Sequence, residues 1–152
     1  MCCAEYYLWV VILWAVDESE FSRWIRSATL TLESANRDRI SGNYNWSCFK
    51  AHQAAEKALK ALLWGLGNPK TGYSLIELGN TLRNIGIEIP IDIYEALARL
   101  SKFYVPTRYP DAWSEGVPED YYTEGEAREA IQLAEKVINW VIDVWRKLLR
   151  KE

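Results

Sequence analysis

A chain of 152 residues is long enough for one domain with a real core, without disulfide or metal staples. Hydrophobic residues make up 49% and charged residues 26%, a globular balance that excludes a disordered chain. The formal net charge of -3 excludes a global basic field, so any contact with nucleic acid has to come from a local patch.

Eight Trp and nine Tyr are a heavy aromatic load, and large aromatics serve interfaces as well as cores, which points towards an oligomer. Cys2, Cys3 and Cys48 form no disulfide framework and indicate a reducing, cytoplasmic setting. With His52 they lack any paired C-x-x-C spacing, so neither a metal nor another cofactor is expected.

Tyr6 to Val16 is an unbroken apolar run. It is short of the roughly 20 residues that span a bilayer, and no membrane association is expected. Glu5 stands where a secretory signal would carry a basic residue. Residues 1–18 read either as an N-terminal element on the chain's own core or as an arm over a neighbouring subunit, with residues 19–152 as a single helical domain. Asp17 and Glu20 have capping-box spacing, and Phe21, Trp24, Ile25, Ala28, Leu32 and Ala35 then form one buried stripe up to a stop at Gly42.

The second helix is predicted from near Asn43 or Asn45 to Gly65, with Cys48, Ala51, Ala55, Leu59, Leu62 and Leu66 as its apolar stripe. Lys50, Gln53, Lys57 and Lys60 align on the opposite side, together with Trp46 and Trp64. Such a face suits a phosphate-bearing ligand, a partner subunit, or simply solvent. His52 falls at the edge of the apolar stripe and reads as a boundary histidine with its hydrogen bonds satisfied. Ser74 and Glu77 box a short helix carrying Leu75, Leu78, Leu82 and Ile85, which ends at Gly86. A further helix is predicted from about Asp92, boxed with Glu95, through Leu97, Leu100 and Tyr104.

At Phe103 to Asp111 the helical period stops. Pro106 and Pro110 push Val105 and Tyr109 away from helical angles, and Arg108 stands among tyrosines. The aromatic content through Tyr122 predicts an ordered loop packed on the bundle and presenting Arg108, not a linker. The last helix opens with a Thr123/Glu126 box and carries Ala127, Ile131, Ala134, Ile138, Val141, Trp145 and Leu148 at 4-3-4-3 spacing. A second stripe of Ala130, Leu133, Val137, Trp140 and Val144 makes this helix either central to its own bundle or shared with another subunit. The elements add up to an all-α, up-and-down bundle of about five helices.

Three segments, in this order and spacing, resemble the HEPN (higher eukaryotes and prokaryotes nucleotide-binding) family. They are Ala51-His-Gln-Ala-Ala-Glu-Lys-Ala-Leu-Lys-Ala-Leu62, Gly72-Tyr-Ser-Leu75 and Phe103-Tyr-Val-Pro-Thr-Arg-Tyr-Pro-Asp111. The resemblance runs from about Ser19 to the C-terminus and implies a four-helix-bundle core, usually a homodimer, often paired with a small nucleotidyltransferase. Some members are metal-independent ribonucleases and toxins, marked by an Arg followed four to six residues later by a His. Here Arg108 matches the arginine, but Trp113 and Ser114 stand where the histidine belongs. Neither can take the 2′-hydroxyl proton, and Asp111 or Glu115 offers only a carboxylate, a weak base for that task.

The residues therefore point to nucleotide or RNA binding without cleavage, at a site of Arg108, Tyr104, Tyr109, Asp111, Lys57 and Lys60. The expected partners are a second copy of the chain, or a larger even oligomer, and a nucleotidyltransferase. Two alternatives stand beside this reading: an atypical ribonuclease using Arg108 with a carboxylate or His52, and a bundle that only binds protein. Arg108 also has a structural reading, as a salt bridge to Asp111 or Glu115 that pins the loop.

Overall fold

The structure, a computed structural model, describes residues 16–150. The apolar run therefore lies outside the described residues except at Val16, which packs against the core. Among the described residues there are five α-helices and no strand: α1 (Glu18–Ile40), α2 (Tyr44–Gly65), α3 (Leu75–Asn84), α4 (Ile91–Leu100) and α5 (Glu124–Arg150). None is long and apolar enough to cross a membrane.

Three predicted caps hold the helix starts. The Glu20 amide donates to Asp17 Oδ1 at 3.0 Å, the Glu77 amide to Ser74 Oγ at 3.2 Å, and the Glu126 amide to Thr123 Oγ1 at 3.2 Å. Each satisfies one of the amides that a helix N-terminus leaves without an intrahelical partner. The fourth predicted box is not made. Pro90 caps α4 with no side-chain hydrogen bond, and the Asp92 carboxylate instead meets Lys136 of α5 at 3.0 Å. That ion pair and Arg99–Glu129 line α4 up along α5. Helix α4 also stops at Leu100, short of the predicted Tyr104.

Helix α2 is the axle of the bundle, in contact with each of the other four helices. Alanines at 51, 54, 55, 58 and 61, all fully buried, let neighbouring backbones come close on several sides. Leu59, Leu62 and Leu63 fill the space between. Helices α1 and α5 close over the far end of α2, where Phe21 stacks on Trp145 at 4.1 Å against Gly65. The two apolar stripes of α5 divide accordingly. Ala127, Ala134, Ile138, Val141, Trp145, Ala130 and Val137 are buried, while Leu133, Trp140 and Val144 are half-buried at the margin of the same core.

The lysine side of α2 is not a free face, because α1 lies along it. Lys50 pairs with Asp38 at 2.6 Å, Lys57 donates to Thr31 Oγ1 at 2.8 Å, and Lys60 pairs with Glu56 at 3.1 Å beside the Trp24 ring. Trp64 packs on Trp24, while Trp46 stands at the other end of the helix against Phe49. The wheel placed these residues on one side correctly. It could not show that another helix of the same chain covers that side.

Candidate functional site

The connection between α4 and α5 is ordered by its own aromatics and by α2. Trp113 stacks on Tyr121 at 3.9 Å, and its Nε1 donates to the Pro106 carbonyl at 2.7 Å. The Tyr121 hydroxyl donates to the Glu115 carbonyl at 2.6 Å. Two single 3-10 turns, Pro110–Ala112 and Pro118–Asp120, break the path where the prolines fix φ. From the bundle, buried Asn45 of α2 donates to the Thr107 carbonyl at 3.0 Å, and the Thr107 hydroxyl donates to the Tyr104 carbonyl at 2.9 Å.

This bracing sets Arg108 in place. Its Nε donates to the same Tyr104 carbonyl at 3.1 Å. Its guanidinium carbon lies 4.0 Å from the Phe49 ring, 4.6 Å from Tyr104 and 5.0 Å from Tyr109. Among the described residues it forms no ion pair. The alternative reading, a salt bridge to Asp111 or Glu115, is not formed, and the loop is held by backbone and Trp113 contacts instead. The two terminal nitrogens, which carry four of the five guanidinium donors, have no protein acceptor among the described residues.

His52 of α2 completes the group, and its setting differs from the sequence expectation. It is 1% exposed, its ring lies 5.1 Å from Tyr104, and Nδ1 has no hydrogen-bond partner among the described residues. Burial lowers its pKa to about 4 with help from the Arg108 charge, and a hydrogen bond to the Tyr73 backbone acts in the opposite direction. His52 is thus a buried, neutral imidazole touching the site, with one of its two nitrogens unpaired, and not a boundary residue. Tyr73, from the turn before α3, stacks flat on Tyr104 at 4.1 Å with the ring planes 1° apart. Trp46, Tyr73, Val105 and Tyr109 form an exposed apolar rim.

Of the residues expected here, Tyr104, Arg108 and Tyr109 come together, and Asp111 is exposed on the adjoining 3-10 turn. Lys57 and Lys60 do not join them. Helical rise alone separates them from Phe49 by about 12 and 16 Å along α2, and their ammonium groups are turned to Thr31 and Glu56. Sequence reasoning did not place Phe49 beside Arg108, nor Asn45 and Tyr73 against the loop, and it offered His52 only as an alternative partner of Arg108. One signal was available for His52, the single histidine of the chain on an otherwise alanine-rich helix.

Two grooves lie elsewhere. One of about 480 Å³ between α4 and α5 is lined by Asp92, Lys136, Trp140 and Asp143, with its Lys already paired. One of about 330 Å³ between α1 and α2 includes Lys50 and Lys57. Neither includes Arg108.

A search of curated protein sequences gives no match. The family model for the HEPN domain matches residues 21–148. Among solved structures, TT1696 from Thermus thermophilus is 39% identical, with a TM-score of 0.78, covering 81% of this chain and 96% of its own. ST0689, an archaeal HEPN homologue, is also 39% identical, with a TM-score of 0.68 over 81% of this chain and 95% of its own. An HEPN domain protein from Thermotoga maritima, tm0613, is 32% identical, with a TM-score of 0.66 over 82% and 98%. Family match, identity and shared bundle agree, and the chain belongs to the HEPN domain family.

Proposed function

We propose that this HEPN protein binds a nucleotide or RNA through Arg108 without cutting it. The observation that carries the reading is the free guanidinium fork, braced through Nε and left without a carboxylate among the described residues. A planar fork of this kind matches two phosphate oxygens. Tyr104 and Tyr109 beside it offer faces on which a base can stack. Lys57 and Lys60 take no part, which confines the phosphate contact to one arginine per subunit.

Cleavage lacks a base. His52 is the one imidazole of the chain, and a buried group with a pKa near 4 is poorly matched to taking up a proton at neutral pH. One observation favours a ribonuclease as the second reading: His52 and Arg108 share the Tyr104 ring. It requires RNA cleavage that is lost in both Arg108→Ala and His52→Gln. Membership of the family supports assembly as a homodimer, with a nucleotidyltransferase as a further partner. Sedimentation at micromolar concentration tests the dimer.

Calorimetric titration of ATP and a short RNA tests the binding reading. Affinity should fall as salt rises, because a neutralised phosphate releases counterions. Arg108→Lys should bind roughly ten- to a hundredfold more weakly, the loss of a charged hydrogen bond. No binding by the wild type at low salt, with a lowered melting temperature in Arg108→Ala, would return Arg108 to a purely structural role.

A further inference from the structure

Tyr73 lies outside the core. It is 54% exposed, and its hydroxyl has no hydrogen-bond partner among the described residues. It sits on the short connection between α2 and α3, next to Gly72 at φ +101°, a backbone conformation suited to glycine. What holds the ring is the parallel stack on Tyr104, at 4.1 Å and 1°. That is the contact an aromatic platform makes with a base. The same Tyr104 ring adjoins the Arg108 fork at 4.6 Å and the His52 ring at 5.1 Å, where the buried Nδ1 lacks a partner among the described residues. With Tyr73 in place that Nδ1 stays unpartnered, whereas a nucleobase carries donors and acceptors around the edge of its ring.

We infer that Tyr73 occupies, on the face of Tyr104, the position taken by a nucleobase when a nucleotide binds. This inference rests on the reading of Arg108 as a phosphate fork, and it adds the class of ligand. The base has to leave its own strand to stack on Tyr104, so the ligand is a single-stranded RNA or a mononucleotide, not a duplex. On binding, Tyr73 swings out on its turn and the base replaces it, with the phosphate on Arg108 and the base edge towards His52. Tyr73 is then a competitor of the ligand, and removing it should help binding. A residue that merely extended the platform would do the opposite.

The test uses a six-nucleotide single-stranded RNA carrying one 2-aminopurine, the same strand annealed to its complement, and tripolyphosphate as a probe without a base. Wild type is compared with Tyr73→Ala and Tyr104→Ala. Tyr73→Ala should bind the single strand about two- to tenfold more tightly, the worth of one aromatic stack. Tripolyphosphate binding should not change. The 2-aminopurine fluorescence should be quenched in wild type and Tyr73→Ala but not in Tyr104→Ala, and the duplex should bind no better to Tyr73→Ala than to wild type. Weaker or unchanged single-strand binding by Tyr73→Ala, with tripolyphosphate still bound, overturns the placeholder role and leaves the Arg108 reading standing. If no protein binds either probe, the Arg108 reading fails, and this inference with it.

Discussion

Burial of His52 has a measurable consequence for folding. In the native protein its pKa is lowered to about 4 from the ordinary value of 6.5, first by desolvation and then by the neighbouring Arg108 charge. Between about pH 6.5 and 4 the unfolded chain takes up a proton that the folded chain refuses. Stability therefore falls as pH falls through that window, and above it this group contributes no pH dependence. The full shift corresponds to about 3 kcal/mol. For a domain of this size that is roughly 6–12 °C in melting temperature.

His52→Gln keeps a polar side chain at the site and cannot titrate. Urea unfolding followed by circular dichroism at about pH 7.5, 5.5 and 4 gives the comparison. Other carboxylates titrate in the same range, so the informative quantity is the difference between the two proteins. Wild type should lose about 3 kcal/mol more than the variant between about pH 7.5 and 4. In an Arg108→Gln background the difference should shrink, because one of the two depressing causes is gone. Parallel stability curves for wild type and His52→Gln, or an imidazole resonance that titrates above about pH 6, would refute the argument that His52 is buried and neutral.

Two further changes probe the frame around the site. A Cβ added at Gly65 would meet Trp145 Cζ3 at 2.7 Å and Phe21 Cβ at 3.0 Å, so Gly65→Ala should cost about 1–3 kcal/mol by forcing the stacked Phe21–Trp145 pair apart, read by thermal unfolding. Asn45→Ala should strip the buried Thr107 carbonyl of its donor and cost about 1–3 kcal/mol, with faster proteolysis of the 103–122 loop than in wild type.

The sequence made the helices legible where local chemistry decides them. Asp17, Ser74 and Thr123 each cap within three residues of themselves, and no tertiary contact competes for their oxygens. Asp92 has the same spacing to Glu95, but Lys136 on another helix claims its carboxylate, and Pro90 already starts the turn. The site was half legible. Prolines 106 and 110 marked the loop and Arg108 within it, because proline acts on the backbone locally. Phe49 and His52 meet the loop only through packing of α2 against it, and Tyr73 only through its stack on Tyr104, and that packing is nowhere written in local periodicity. The lysines misled for the same reason: a wheel gives the side a residue is on, not what stands opposite.

The buried polar residues gather at the Arg108 end of the bundle. Among the described residues the buried polar side chains are Asn45, Ser47, His52 and Thr107, all on the N-terminal half of α2 or the loop it supports. Three of them have evident structural work. Ser47 donates to the Ala35 carbonyl at 2.8 Å, Asn45 to the Thr107 carbonyl, and Thr107 to the Tyr104 carbonyl. They replace interactions with water that the backbone of an irregular connection would otherwise lose. His52 fits that account in part, through its hydrogen bond to the Tyr73 backbone in the turn before α3, while Nδ1 meets no partner among the described residues. An alanine or leucine would fill the same helical position without a desolvated nitrogen, as it does along the remainder of α2. Here a polar atom stays buried and unpaired beside an arginine fork with unused donors, under a ring whose outer face an exposed tyrosine covers. The unused donors of Arg108 are what loop bracing leaves over, and the proposed grip on a phosphate would use them.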